Sequence, residues 1–366
     1  MSLQSASVAR LHAVEVSGDE SLVEGPLHGY HHETYVFPLL GEAGRVQPGR
    51  WKCREPRPDL LWFDRRCFAS EEQLLQDLQG RIRGIPEIAE VGGISLMRFI
   101  EGRTLGSLHG SGKSVPDVYH RQIVELFRQL AAVAPTSLRA ARRCDPEDRP
   151  EDGDTEGFLQ RLVHFTEHRV YRHNLDRFEG LFRELGVGED AFAHLRTYVS
   201  GLTRRPFCLL HADLHRENFI VDAEQRLWTI DWELAMVGDP LYELATHLHL
   251  MRYPAWQARR VAELWHTTVE EVRPGSTNGW HGDLPLLLGY KRAQSVITDV
   301  IRCALMLGAV PDAGWRRMAS AAPKLRRILV DGAAPLGLEP VPGPHRIASA
   351  LMRWCREHGT RRGAAP

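Results

Sequence analysis

His211-Ala212-Asp213-Leu214-His215-Arg216-Glu217-Asn218, followed thirteen residues beyond Asn218 by Asp231 in Thr229-Ile230-Asp231-Trp232-Glu233, is the stretch on which the reading of this chain turns. The apolar run Phe207 to His211 reads as a strand, and Phe219–Val221 and Leu227–Ile230 read as a hairpin closed by Asp222-Ala223-Glu224-Gln225. A carboxylate at the end of a strand, an amide five residues on and a second carboxylate beyond a hairpin can converge on one point. That constellation suits phosphoryl transfer: one carboxylate orients an attacking hydroxyl and accepts its proton, while the amide and the other carboxylate offer hard oxygen ligands to magnesium.

Outward from this stretch the chain divides into a strand-rich front third and a helix-rich remainder. His12–Val16, Thr34–Leu40, Trp51–Arg54 and Leu60–Phe63 are short β-prone runs, the first two flanking the turn-rich Gly25 to His32. Leu74, Leu75, Leu78 and Ile82 fall on one face at helical spacing behind Ser70 as N-cap, which predicts a helix there. Ile94 to Ile100 predicts a buried strand ending at Glu101-Gly102-Arg103, where a hinge is expected at about residues 98–102. Residues 1–101 then form one lobe and residues 102–366 the other. In the second, 116–133, 157–173, 191–202, 241–253, 256–268, 284–307 and 314–329 carry apolar positions three and four apart and are expected to be helical. Cys144 to Glu156, rich in Asp and Glu, reads as a solvated loop. Gly110-Ser111-Gly112-Lys113-Ser114 imitates the end of a phosphate-binding P-loop, but Ser107 stands where its first glycine belongs, and a flexible loop is expected.

The 366 residues carry a net charge of −1, with 43% hydrophobic and 25% charged side chains, enough apolar material for a large core. Near-neutrality gives no electrostatic case for nucleic acid or a membrane surface. The six cysteines include no Cys-x-x-Cys pair, so neither a zinc module nor a disulfide scaffold is indicated. The amino terminus lacks the pattern of a signal peptide and no run approaches the roughly 20 apolar residues of a membrane span, so a cytoplasmic location is expected. Only Lys52, Lys113, Lys291 and Lys324 are lysines, so a mechanism needing an ammonium has few candidates.

The sequence resembles the aminoglycoside phosphotransferase and choline kinase family. His211-x-Asp213-x-x-x-x-Asn218 matches the family's catalytic loop, Ile230-Asp231-Trp232-Glu233 its metal-binding segment, and Gly238-Asp239-Pro240-x-Tyr242-Glu243-Leu244-Ala245 the motif that follows, with Glu243 where aspartate is commoner. The close match covers about 35 contiguous residues, and the rest agrees more loosely in the order of elements. The resemblance implies an α+β, two-lobed, protein-kinase-like fold with a small β-rich N-lobe and a larger, mostly helical C-lobe holding a short β hairpin. It implies Asp213 as catalytic base, Asn218 and Asp231 as metal ligands, His211 as a brace of the loop, and ATP or GTP with Mg2+ as cofactors. It also implies a third-strand lysine on the nucleotide phosphates paired with a helix glutamate. Lys52 is the only lysine before residue 113, and its partner is expected at Glu71, with Glu72 as the alternative. Gly25 to His32, including Gly25 and Gly29, would cover the phosphates, and Phe99 and Ile100 would meet the adenine edge. For Glu233, a role at magnesium or substrate and a salt bridge within the lobe remain open.

The implied reaction moves a γ-phosphate to a hydroxyl of a small molecule, such as an antibiotic or other natural product. A metabolic kinase for a sugar, amino alcohol or nucleoside is the second reading, and a catalytically silent nucleotide-binding regulator a third. Only six residues separate Asp231 from Gly238, which leaves no room for a peptide-binding activation segment. From residue 251 onward Lys and Arg number 17 against 9 Asp and Glu, which favours a neutral or anionic acceptor over a polycation. Trp256, Trp265, Trp280 and Tyr290 are candidates for stacking on the acceptor, and Asp299, Glu263, Glu270 and Glu271 for recognising an amine. A monomer or homodimer without nucleic-acid or membrane partners is expected.

Overall fold

Tyr35, Phe37 and Leu39 are buried at every second position along one strand, and Trp51 and Cys53 along the next, so each strand offers one greasy face. In the computed structural model, which describes residues 7–27, 32–40, 46–57, 61, 63–146, 149–310 and 314–359, that face is covered by helix α1 (Val8–Ser17). The strands are β1 (Glu24–Leu27), β2 (His32–Leu40), β3 (Val46–Pro56), β4 (Ile88–Val91) and β5 (Ile94–Phe99), hydrogen-bonded antiparallel in the order β1-β2-β3-β5-β4. The β-prone run His12–Val16 is therefore helical, against expectation. Ala9, Ala13 and Ser17 recur every fourth residue and are fully buried on the sheet. Ser7 caps the first turn and Gly18, at φ 70°, ends the last, so packing and capping override the local β preference. Leu61 and Phe63 lie outside any strand, and the other two residues of that run, Leu60 and Trp62, are outside the described residues.

The opposite face of the sheet meets α2 (Glu71–Leu78), whose Ser70 hydroxyl accepts from the Gln73 N–H at 3.2 Å. The helix ends four residues before Ile82, which is buried from the following turn. Beyond the hinge segment, β6 (Arg103–Thr104) and the single turn α3 (Leu105–Leu108) lead to α4 (Asp117–Ala132), whose Tyr119, Ile123, Phe127 and Leu130 form its buried stripe. The P-loop look-alike is a turn before α4. Next come α5 (Thr155–Phe165), α6 (Leu175–Glu184) and α7 (Asp190–Tyr198); the expected helix at 157–173 instead changes to π geometry at Thr166–Tyr171.

Four short strands then fix the centre of the molecule: β7 (Cys208–Leu210), β8 (Phe219–Val221), β9 (Leu227–Thr229) and β10 (Met236–Gly238). β8 and β9 form the expected hairpin, and β6 joins it. β10 was not anticipated; it pairs antiparallel with β7, Met236 opposite Leu210 and Gly238 opposite Cys208. Helices α8 (Pro240–Met251), α9 (Ala255–Val272), α10 (Trp280–Gly308), α11 (Trp315–Asp331), α12 (Ala333–Leu336) and α13 (Pro344–His358) complete the C-lobe around one continuous apolar core. Among the described residues no helix is long and apolar enough to cross a membrane.

One buried ionic knot ties these layers together. Arg205, with no exposed surface, forks onto both carboxylate oxygens of Asp239 (2.7 to 3.1 Å) and reaches Asp283 Oδ2 at 2.6 Å and the Asn278 carbonyl at 2.7 Å. Asp239 Oδ1 also accepts from the Leu241 N–H at 2.8 Å, capping α8. Removing the guanidinium strands two buried carboxylates, so Arg205→Ala should destabilise the protein by about 3–5 kcal/mol. Urea unfolding of the two proteins checks this; a change below about 1 kcal/mol would show that the knot is not structural.

Candidate active site

Pairing of β10 with β7 folds residues 230–235 back over the loop 211–218, and short hydrogen bonds lock the two segments. The Ile230 N–H donates to the Asn218 carbonyl at 3.0 Å. His211 Nε2 donates to the Ile230 carbonyl at 3.1 Å, while its Nδ1 accepts from the Asp213 N–H at 3.3 Å. Burial pushes the His211 imidazole down to about 4, so it stays neutral and keeps that donor and acceptor arrangement at neutral pH. Ala212 and Asp231, at φ 63° and 64°, hold left-handed backbone, and the Ala212 N–H is clasped by Glu243 Oε2 at 2.8 Å from α8. Glu243 thus reaches the loop from α8 with a side chain one methylene longer than aspartate.

The result is a carboxylate presented at the floor of a cleft. Asp213 Oδ2 accepts from Asn218 Nδ2 at 3.1 Å and lies 3.4 Å from His215 Nε2. Burial opposes a charge on His215, but the Asp213 carboxylate outweighs it and raises the imidazole above its usual value. His215 Nδ1 accepts from the Glu217 N–H at 3.1 Å. His215 was not singled out from the sequence, although it stands two residues from Asp213; only the fold reveals that its ring turns back onto that carboxylate.

Asp231 lines the same cleft as Asp213. Its Oδ1 is buried and receives no hydrogen bond, and burial together with the Glu71, Glu233 and Asp213 carboxylates raises its pKa despite Arg54 nearby. Asn218 spends its amide N–H on Asp213, on the carbonyl at 3.0 Å as well as on Oδ2, which leaves its carboxamide oxygen for another partner. Two hard oxygen donors beside a surplus of negative charge fit the magnesium that the family implies. Among the described residues there is no group of three or more His, Cys, Asp or Glu that could hold a metal ion.

The nucleotide side departs from expectation at one pair. Lys52 and Arg54, two apart on β3, both face the cleft, but Glu71 is engaged by the Arg54 guanidinium and by the Trp232 N–H at 2.9 Å, not by Lys52. Arg54 also reaches Glu72 at 3.1 Å. The guanidinium fork can serve two carboxylates at once, which a single ammonium does less well. Among the described residues Lys52 makes no salt bridge; burial foremost, then Arg54, lowers its pKa, while Glu71 and Asp231 act the other way. Glu233 pairs with Arg66 and lies 3.7 Å from His32 Nδ1 at the start of β2, so it faces residues of the neighbouring lobe.

Leu27, His32, Thr34 and Phe99 line the cleft from the N-lobe. Gly25 sits at φ 144° with Tyr35 Cδ1 2.7 Å from where a Cβ would stand, so a side chain is excluded. Gly29 lies outside the described residues, and Ile100 is half-buried just past β5 without lining the cleft. None of Trp256, Trp265, Trp280 and Tyr290 lines it either; Trp265 and Tyr290 are core. Of the acidic candidates only Asp299 does, whereas Glu270 holds the Gly275 and Thr277 N–H groups of a turn.

Two outcomes are expected. Arg54→Ala should cost about 3–5 kcal/mol in urea unfolding, because it leaves the buried Glu71 unpaired, whereas Lys52→Ala should leave stability nearly unchanged. Burial, with Asp213 adding to it, pushes Glu243 up to about 7 from an ordinary 4.5. A carboxyl whose folded pKa is raised favours the fold below pH 4.5 and loses that advantage as pH rises to about 7. Glu243→Gln should therefore gain stability relative to the parent by up to about 3 kcal/mol across that window, and thermal unfolding at pH 5 and pH 8 reads the difference; a pH-independent difference would contradict the assignment.

The solved structures with a similar fold include a macrolide 2'-phosphotransferase from Brachybacterium faecium (16% identity, covering 89% of this chain and 94% of that one, TM-score 0.49). A choline/ethanolamine kinase family protein from Mesorhizobium loti is similar over 94% of this chain and 98% of its own (16% identity, TM-score 0.49). A thermostable mutant of an aminoglycoside phosphotransferase, in ternary complex with ADP and hygromycin B, is similar over 90% and 99% (16% identity, TM-score 0.45). No curated protein matches the sequence. The sequence profile of the phosphotransferase enzyme family matches residues 47–275, a span from the third strand to beyond α9 that takes in every polar group of the cleft floor, and the chain belongs to that family.

Proposed function

We propose that this phosphotransferase moves the γ-phosphate of ATP or GTP to a hydroxyl of a small hydroxylated natural product, antibiotics included. The observation that carries the reading is the convergence of Asp213, Asn218 and Asp231 at the floor of one cleft, with Asp231 Oδ1 buried and without a donor. The cleft measures about 1430 Å³, more than the roughly 300–1,000 Å³ of a pocket for one ligand, and so has room for a nucleotide and an acceptor together.

Asp213 is the residue that meets the acceptor. Asn218 and His215 hold Oδ2, so the carboxylate is aimed before the substrate arrives. It takes the hydroxyl proton as the oxygen bonds to the γ-phosphorus and the bond from that phosphorus to the β-bridging oxygen breaks, leaving the nucleoside diphosphate. Asn218 and Asp231 would hold magnesium, which supplies charge neutralisation on the phosphates. Lys52, half-buried and without a salt bridge among the described residues, lies on the cleft wall where an ammonium can meet the phosphates. His211, neutral and doubly bonded, keeps the loop in shape without touching substrate.

Asp213→Ala should lower acceptor-dependent ADP release by about 10²–10⁴-fold while nucleotide binding survives. Asp231→Ala should instead weaken nucleotide binding in magnesium and leave magnesium-free binding nearly unchanged. A coupled ADP assay and calorimetry with and without Mg2+ separate the two. Unchanged turnover in the first variant, or an unchanged magnesium dependence in the second, removes that residue from its role.

A further inference from the structure

Beyond Asp213 the cleft continues between the carboxyl-terminal half of α10 and the face of α11, and the composition of that wall is unusual. It is apolar, with Leu250, Met306, Val310, Leu325 and Ile328 turned into the space, and Met306 is 64% exposed where a large apolar side chain would ordinarily be covered. Set into it are Arg302, Arg317 and Lys324, and one carboxylate, Asp299. Among the described residues none of the three cations is in a salt bridge. Arg302 is the most constrained of them, its guanidinium stacked 4.6 Å above the ring of buried Phe63.

Arg302 also sits close to the chemistry. Asp64, on the same segment as Phe63, feels both the Arg302 guanidinium and the Asp213 carboxylate. Asp64 is already committed, accepting from Gln294 Nε2 at 3.0 Å, while Gln294 in turn accepts from Lys291 at 2.7 Å. Asp299, the one carboxylate of this wall, lies within the influence of Arg302 and Lys324, so it answers two of the three cations at once. The wall thus presents apolar surface and three cations against one carboxylate within one cavity.

Resting on the phosphotransferase reading of the same cleft, we propose that the acceptor is an amphipathic alcohol bearing an anionic group, whose apolar body lies along α10 and α11 and whose anion is held by Arg302 with Lys324. An apolar skeleton gains from the wall, an anion gains from the unpaired cations, and a cationic acceptor pays for both. Arg302 is the specificity-determining residue in this arrangement, since its stacked guanidinium is fixed before the anion arrives.

The test uses three alcohols that differ only at the far end: ω-hydroxydecanoate, decanediol and ω-aminodecanol. Binding is measured by calorimetry on the full chain loaded with ADP and Mg2+, and transfer by ADP release with ATP. The hydroxy acid should bind at least about tenfold more tightly than the amino alcohol, with an affinity that falls as salt is added. In Arg302→Gln and Lys324→Gln that preference should shrink, and Arg302→Lys should recover part of it. Equal or tighter binding of the amino alcohol, an undiminished preference in Arg302→Gln, or failure of all three to bind would overturn the proposal. Phosphorylation of the amino alcohol in preference to the hydroxy acid would overturn it while leaving phosphotransfer intact. Tight, Arg302-dependent binding of the hydroxy acid without any transfer would uphold recognition of an amphipathic anion by this wall and count against the phosphotransferase reading on which the proposal rests.

Discussion

The buried carboxylate of Glu71 is the joint on which the rest of the site depends. One of its oxygens engages Arg54 on β3 and the other accepts from the Trp232 N–H, the residue after Asp231. A single side chain on α2 therefore connects the sheet of the N-lobe to the backbone of the segment that carries Asp231. A buried carboxylate tolerates neither the loss of its cation nor of its hydrogen bond, so the three elements are obliged to sit together. The cleft between the lobes inherits its shape from that obligation.

Around this joint the site concentrates costs that the surrounding core offsets. Ala212 and Asp231 adopt left-handed backbone, Asp231 is crowded by Glu71, Glu233 and Asp213, and Glu243 is buried beneath the loop. Each is unfavourable alone. Together they aim two carboxylates and an amide into one space and leave a buried oxygen without a partner. Such an arrangement is stable only if β7, β10 and α8 hold it rigidly, which the pairing of β7 with β10 and the Arg205–Asp239 knot under α8 provide. The chemistry is then a matter of preorganised charge meeting a phosphate and a hydroxyl that bring their own complement.

Much of this was legible in the sequence because its signals are local. The spacing of His211, Asp213 and Asn218 and the placement of Asp231 beyond a hairpin specify a loop and its neighbour, and the 3.6-residue periodicity gives α2, α4 and α8 to α11. What escaped was decided by contacts between distant segments. His12–Val16 looks like a strand until Ala9 and Ala13 are seen packing every fourth residue on the sheet. Met236–Gly238 is too short to read as a strand without β7 opposite it. The choice of Arg54 over Lys52 as the partner of Glu71 depends on reach and fork geometry across three elements, which letters do not encode. The aromatic candidates of the late helices failed for the same reason: Trp265 and Tyr290 have the right chemistry for stacking but the wrong side of the helix. The positive surplus after residue 251 was visible as a count, whereas its delivery to one cleft wall through Arg302, Arg317 and Lys324 required the packing of α10 against α11.

The central claim is that Glu71 and Arg54 act as one unit that positions the site for a nucleotide. The most direct measurement is a double-mutant cycle of Glu71→Gln and Arg54→Met, read by the affinity for ATP in magnesium. If the pair is one joint, each single substitution weakens nucleotide binding and the double variant binds no worse than the weaker single, a coupling of at least about 1 kcal/mol. Losses that simply add would mean that the two residues act separately, and the account of the cleft built on their union would be wrong.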